Sequence, residues 1–404
     1  MGTFKNKLWG LALFLGVMVA FTGVYSRGGI SYEGIVLGRE GGIKHPSKRV
    51  SPPAVLIDDE GRIYLSWIEE LDGKNAIFVA TSTDGGQSFP TRVRLDRTPE
   101  EAPYSIHESP RMAAGTRGEV YVVWNARGRG GGRDIRVSAS YNRGISFTPS
   151  VKVNDTETGS AGFESIAVAP DGTLYVSWLD GRLRDERGSG VYIDRSTDRG
   201  RSFGKDVRID DWACPCCRTA LSVGQDGKVY VAWRKIYPQD VREIVLATST
   251  DGGQSFSAPL VVGNDMWQFD GCPHRGPDIG TGTGGTIYVV WYAEGEGFPA
   301  IYFATGDEKG FSKKRLPVRG GFYPDHPTLT TGIDGVFLVW EEKTPVVSNI
   351  MLSIDGRKPV KLNTTTRRAT EPVISINSRG ELAIAWTKHE VGFKRTVVLT
   401  GRKE

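Results

Sequence analysis

The sequence predicts an all-β protein, a β-propeller of four-stranded antiparallel blades. Three observations carry that prediction. Trp67, Trp124, Trp178, Trp233, Trp291, Trp340 and Trp386 each close a short apolar run that follows a turn rich in Asp, Asn or Gly. Their spacing runs from 46 residues (Trp340 to Trp386) to 58 (Trp233 to Trp291), a period that marks a repeat architecture. Four repeats also share an octapeptide: Ser82-Thr-Asp-Gly-Gly-Gln-Ser-Phe89, Ser140-Tyr-Asn-Arg-Gly-Ile-Ser-Phe147, Ser196-Thr-Asp-Arg-Gly-Arg-Ser-Phe203 and Ser249-Thr-Asp-Gly-Gly-Gln-Ser-Phe256.

The first 29 residues stand apart. Lys5 and Lys7 precede an uncharged apolar run from Leu8 to Tyr25, the pattern of an export signal. Cleavage near Ser26 to Gly29 is the first expectation and an uncleaved N-terminal anchor the second, since the run is long enough to span a bilayer. Either way the folded part, residues 30–404, is placed outside the inner membrane, periplasmic or extracellular, with membrane contact only through this segment.

The third repeat illustrates the others. Ser165-Ile-Ala-Val-Ala169 is a short apolar strand, Pro170-Asp-Gly-Thr173 a hairpin turn and Leu174-Tyr-Val-Ser-Trp178 an alternating strand. Gly190–Ser196 supplies a third strand, the octapeptide turns the chain, and Val207-Arg-Ile-Asp210 is the fourth. The turn is degenerate in the fifth repeat (Gly306-Asp-Glu-Lys-Gly310) and the sixth (Ser353-Ile-Asp-Gly356). The seventh repeat ends with Arg395–Thr400 and lacks a fourth strand, which Tyr32–Gly38 can supply. That pairing closes one ring without an open edge. The expectation is a single seven-bladed domain, with six blades as the alternative, and a monomer.

The chain has 404 residues, 39% of them hydrophobic and 10% aromatic, with a formal net charge of +4. This is enough apolar material for a core and too little charge to argue for nucleic acid.

The octapeptide resembles the Asp box of sialidases and other BNR-repeat propellers, with four good copies and two weak ones spread over six repeats. The resemblance identifies a fold group and implies no activity by itself. Asp84, Asp198 and Asp251 are read as turn-formers, because an Asp side chain readily bonds the backbone of its own turn. The Asp boxes then share one face with the tight turns such as Asp171-Gly172. The opposite face is built from loops after the tryptophans and from segments leading into each first strand.

Those lead-in segments read His107-Glu-Ser-Pro-Arg111, Phe163-Glu164, Cys214-Pro-Cys-Cys-Arg218, Cys272-Pro-His-Arg275, Tyr323-Pro-Asp-His326 and Thr370-Glu371. All four cysteines fall there, and the five histidines (His45, His107, His274, His326 and His389) are expected on the same side, converging on the channel mouth. Counting back from the tryptophans makes Arg218 and Arg275 nearly equivalent and sets Asp325 and Glu371 in that place. Paired arginines suit a carboxylate, phosphate or sulfate; the competing reading is an ion-pair network between Arg218, Arg275, Asp325 and Glu371. Arg127, Arg129 and Arg133, then Arg182, Arg184 and Arg187, sit among glycines after Trp124 and Trp178. They read either as a mobile cationic rim or as plain solvated loops.

Cys214, Cys216, Cys217 and Cys272 allow two readings. In an exported chain four cysteines favour two disulfides, for example Cys214 or Cys217 to Cys272, with a strained Cys216–Cys217 bridge as one option. Alternatively the thiolates with His274 and His326 suit copper or zinc. The pair of motifs also looks like one in exported bacterial propellers labelled sialidase-like.

If the resemblance to sialidases extends to activity, it implies three arginines on a sialate carboxylate, drawn from Arg218, Arg275 and Arg111 or Arg49. It also implies Tyr323 as nucleophile and carboxylates from Glu164, Asp325 or Glu371. The sequence departs from that pattern: no Arg-Ile-Pro precedes the first repeat, seven repeats stand where sialidases have six blades, and the Cys-Pro-Cys-Cys cluster is foreign to the site. The expected function is an exported propeller binding an anionic small molecule or acidic glycan, a sialidase-like glycosidase in the first reading. In the alternative it is a non-catalytic envelope protein that binds a metal ion or a partner through its Cys/His/Arg face.

Overall fold

The computed structural model describes residues 31–403 except 129–130, 158, 186–187 and 365–367. The expected export segment, 1–29, lies outside the described residues, as do Arg129 and Arg187 of the arginine-rich loops. Among the described residues there is no α-helix; helical structure is confined to short 3₁₀ turns such as Pro238–Asp240 and Thr283–Gly285.

The strands form small antiparallel sheets arranged as a propeller. In the third repeat Ala161–Val168, Leu174–Asp185, Gly188–Ser196 and Val207–Ala213 pair in sequence order. Four further repeats form separate four-stranded sheets. The last repeat closes the ring: Ile35–Leu37 pairs with Lys394–Lys403, with Ile35 opposite Lys403 and Leu37 opposite Gly401. Gly41–His45 also pairs with that terminal strand.

One expectation needs correction. Hydrogen bonding divides the described strands into six sheets, neither seven separate blades nor six equal ones. The third and fourth repeats share a nine-stranded sheet, because Ala213 at the end of the third repeat pairs with Lys235 on the tryptophan strand of the fourth. The segment carrying Cys214 thus ties two repeats together.

Burial explains the tryptophan period. All seven indoles are at most 1% exposed, and each lies on a strand with a partner on either side. The apolar clusters lie between successive repeats: Trp178 with Tyr121 and Val123, Trp233 with Tyr175 and Val191, Trp291 with Tyr230 and Ala232. Trp67 packs against Ala383, Ala385 and Val398 of the last repeat, so first and last meet through side chains as well as backbone. An indole of this size, fully buried, stabilises by roughly 3 kcal/mol or more.

The octapeptide turns behave as local chemistry dictates. Asp251 accepts from the backbone N–H groups of Gln254 and Ser255 and from the Ser255 hydroxyl. Asp198 does the same with Arg201 and Ser202. These turns contact the tight turns of the preceding repeat, as in Arg199 with Glu119 and Arg143 with Glu60. One face of the ring is therefore structural, and the lead-in segments occupy the other.

Candidate functional site

The lead-in segments surround a cavity of about 1120 Å³. Every repeat contributes to its wall, including Arg49, His107, Glu108, Arg111, Phe163, Cys216, Arg218, His274, Arg275, His326 and Glu371.

A β-bulge sets which side chains reach it. In the third, sixth and seventh repeats the register shifts between Gly162 and Ser165, between Asp325 and Thr328, and between Thr370 and Val373. The first extra residue of each bulge has positive φ: Phe163 at 58°, His326 at 47° and Glu371 at 56°. For non-glycine residues this conformation is uncommon and stays only where the surroundings enforce it. The bulge turns these three side chains to the cavity. It also corrects the sequence alignment: Glu371 shares its place with His326, and Asp325 is one residue earlier.

That one-residue difference changes the role of Asp325, which is only 1% exposed and absent from the cavity wall. Arg275 holds it with two hydrogen bonds, Nε to Oδ1 at 2.5 Å and Nη2 to Oδ2 at 2.6 Å, and Lys343 also donates to Oδ2. Burial opposes ionisation, but Arg275, His326 and Lys343 together hold the carboxyl well below the usual range. A group so firmly ionised is a poor general acid, and the network reading fits this pair. Tyr323 also departs from its expected place: it is 55% exposed at the start of the Tyr323–Gly332 strand and does not line the cavity.

Arg218 is a spoke between three repeats. Its Nη1 donates to the Glu164 carbonyl at 2.5 Å and reaches Glu164 Oε1 at 3.3 Å, while Nη2 donates to the Ser109 carbonyl at 2.9 Å. Glu164 is fully buried, and its Oε2 has no hydrogen-bond partner among the described residues. The partner of Arg218 is thus Glu164, in the preceding repeat, and not Asp325 or Glu371 as the network reading expected.

Arg111 differs from both. It begins the Arg111–Ala114 strand and lines the cavity, and its side chain has no hydrogen bond or ion pair among the described residues. Burial, then the nearby Arg218 charge, pull its pKa down to about 10, so it remains a cation at neutral pH.

Glu108, not singled out from the sequence, lines the same cavity. It is 9% exposed, and its Oε2 lacks a partner among the described residues. Burial, reinforced by the Glu164 charge, raises its pKa to about 6. Glu371 is likewise pushed up by burial, against the pull of His326. His326 sits 3.5 Å from Glu341 Oε2. Burial disfavours its charge, but Glu341, Asp325 and Glu371 outweigh that and raise its pKa.

The thiols also gather here. Cys214, Cys216 and Cys217 are buried, and Cys272 is exposed. Among the described residues none is bonded to another: Cys214 Sγ stands 2.9 Å from Cys217 Sγ and 3.7 Å from Cys216 Sγ, against about 2.05 Å for a disulfide. The expected disulfides, Cys216–Cys217 included, are therefore not present. Instead the donor atoms of Cys214, Cys216 and Cys217 lie within 4.8 Å of one another, as do those of Cys216, Cys272 and His274. His326 belongs to neither group.

Two further expectations change. His45 is 1% exposed, packs edge-on against Trp67 and bonds Thr396 Oγ1 through Nε2 at 2.8 Å, so it is a core residue. His389 bonds Thr370 and is absent from the cavity wall, leaving His107, His274 and His326 there. Arg182 is no mobile rim cation, since Asp180, Asp155 and Asp206 hold it. Arg133 stacks on Tyr104 at 3.8 Å.

A scan against protein-family models and a search of curated proteins both find no match. Solved structures do resemble the chain. An ulvan lyase superposes with TM-score 0.56 at 12% identity, over 89% of this chain and 95% of that one. The polysaccharide lyase Uly1 gives 0.55 at 10% identity, over 87% and 89%. An α-L-arabinanase of Penicillium chrysogenum gives 0.52 at 12% identity, over 90% and 98%. At such identities the likeness is one of fold.

Proposed function

We propose that this protein is a glycan-active propeller whose cavity takes an acidic saccharide. The carrying observation is Arg111, a cation in the cavity wall whose side chain has no hydrogen bond or ion pair among the described residues, in the same wall as Glu108, a carboxyl that burial keeps partly protonated near neutral pH. A guanidinium in a recessed site with no ion-pair contact of its own favours a carboxylate or sulfate, which it can meet with two parallel hydrogen bonds. A carboxyl with a pKa near 6 is suited to donate a proton to a glycosidic oxygen. Glu371 and its neighbour His326 offer a second acid–base group in the same wall. Sialic acid, the first expectation, is one member of the acidic class; uronates and sulfated sugars are others.

Solved structures that superpose on this chain include proteins described as polysaccharide lyases and an arabinanase, which supports a glycan as ligand without naming the reaction. This reading takes the protein as exported through residues 1–29. It counts the nine-stranded sheet as two repeats of a seven-bladed ring.

The test is turnover and binding against a panel of sialylated, uronate-containing and sulfated oligosaccharides, with neutral ones as controls. Cleavage of an acidic member, weakened in Arg111→Ala and slowed in Glu108→Gln, is the expected result. Folded protein that neither binds nor cleaves any acidic member would sink the reading.

A further inference from the structure

Two lead-in segments run against each other at the cavity rim, one from Cys214 to Arg218 and the other from Cys272 to Gly276. The contact is backbone to backbone: a Cβ on Gly276 would stand 2.1 Å from the Arg218 carbonyl oxygen, so only glycine fits. This approach brings Cys272 and His274 to Cys216, which also belongs to the buried group with Cys214 and Cys217. Cys214 and Cys216 place their sulfurs 3.7 Å apart. Two thiolates sharing one tetrahedral zinc at about 2.3 Å each are separated by about 3.8 Å.

The surroundings point the same way. Ile236, Phe163 and Trp212 pack around the three buried thiols. Arg234 is 0% exposed and has no carboxylate within ion-pair distance among the described residues. Its Nε and Nη2 donate to the carbonyls of Arg275 and Tyr292, and its Nη1 has no partner. A buried cation without a counter-charge is costly. A thiolate cluster around a metal supplies that charge: three thiolates and one neutral imidazole on a divalent ion leave a net charge of about −1.

We propose that Cys216, Cys272 and His274, joined by a thiolate of the Cys214–Cys217 pair, hold a thiophilic d¹⁰ metal ion, zinc or monovalent copper, at the rim of the cavity. Sulfur-rich donor sets select these ions over hard cations such as magnesium or calcium. Cys216 and His274 also line the cavity, so the ion sits within reach of whatever the cavity admits. The inference does not depend on the glycan reading and is tested without any saccharide.

The full chain is reduced anaerobically, incubated in separate arms with zinc or monovalent copper, and desalted. Bound metal is measured by elemental analysis and free thiols by titration. The expected result is stoichiometric retention of at least one metal, with thiols protected, and loss of retention in Cys216→Ser. Because Cys216 is buried, its loss alone could reflect misfolding. Cys272→Ser and His274→Ala change exposed side chains, should melt like the parent without metal, and should weaken binding at least about tenfold, the lower bound known even for partners of a metal ligand. The proposal is overturned if the reduced chain retains neither metal, or if folded Cys272→Ser and His274→Ala bind as the parent does. A Cys214–Cys217 disulfide whose reduction restores no metal uptake overturns it equally.

Discussion

Arg275 of the fifth repeat grips Asp325 of the sixth with two hydrogen bonds, at 2.5 and 2.6 Å, and the carboxylate is almost wholly buried. The pair fastens two lead-in segments and leaves Asp325 no freedom to exchange a proton. Asp325→Ala strips both Arg275 and Lys343 of their counter-charge and is expected to destabilise the fold by about 3 kcal/mol, read by urea unfolding. The sign with pH follows from the depressed carboxyl. Its contribution is fully present above the unfolded pKa of about 4 and is lost as pH falls below it, so parent and variant should converge in acid. A variant as stable as the parent at neutral pH would remove the structural role.

Arg111 and Arg218 line one cavity but should respond in opposite ways. The Arg111 side chain has no hydrogen bond or ion pair among the described residues, so Arg111→Ala removes a ligand contact and otherwise only its longer-range pull on buried Asp278. Affinity for an acidic saccharide should fall at least about tenfold, the range of one charge-assisted hydrogen bond, with little change in melting temperature. Arg218 instead ties Ser109, Glu164 and its own segment together. Arg218→Ala should therefore lower the melting temperature by several degrees, because it leaves a buried Glu164 uncompensated. Calorimetry and thermal melts on the two variants separate the roles; a large melting shift in Arg111→Ala alone would reverse them.

Glu108 makes ligand binding depend on pH. Its pKa is raised to about 6 by burial and by Glu164, so the carboxyl is neutral below that point and charged above it. An anion in the cavity meets an added negative charge in the same wall as pH rises through about 6. Affinity should fall across that interval, and Glu108→Gln should flatten the dependence. The same shift affects stability with the opposite sign to Asp325: a raised carboxyl binds its proton more tightly when folded, so its cost appears above pH 6 and disappears as pH falls toward the unfolded value near 4.5. A pH-independent affinity in the parent would exclude Glu108 from the site.

The fold and the candidate site were legible in the sequence to different depths. The tryptophans were readable because each fills the space between neighbouring repeats, so a single residue type recurs at the repeat period. The location of the site was readable too, since all four cysteines fall in lead-in segments and the structure sets these around one cavity. Roles within the site were not. Counting from Trp340 and Trp386 sets Asp325 level with Glu371, whereas the bulges beginning at Asp325 and Thr370 move His326 into that place. A bulge leaves no clear mark in composition, though Pro327 and Pro372, each just after the positive-φ residue, were a local signal of interrupted pairing. Glu108 lay within a segment already marked by His107 and Arg111. Its raised pKa comes first from burial and then from Glu164 in another repeat, neither of which the sequence carries.

Gly276→Ala tests the contact on which the thiol cluster depends. The added Cβ would meet the Arg218 carbonyl oxygen at 2.1 Å, and the obstacle is backbone rather than a yielding side chain. The two lead-in segments must then separate. Overpacking of this kind costs about 1 to 3 kcal/mol, and the ring of buried tryptophans elsewhere is large enough to keep the chain folded. Separation moves Cys272 and His274 away from Cys216. Two results are therefore expected together: a lower unfolding midpoint, and faster reaction of Cys216 with a thiol reagent, since it is buried in the parent. Mapping the labelled cysteine by peptide mass spectrometry distinguishes Cys216 from the already exposed Cys272. If Gly276→Ala neither lowers the midpoint nor uncovers Cys216, the two segments do not make the close approach described.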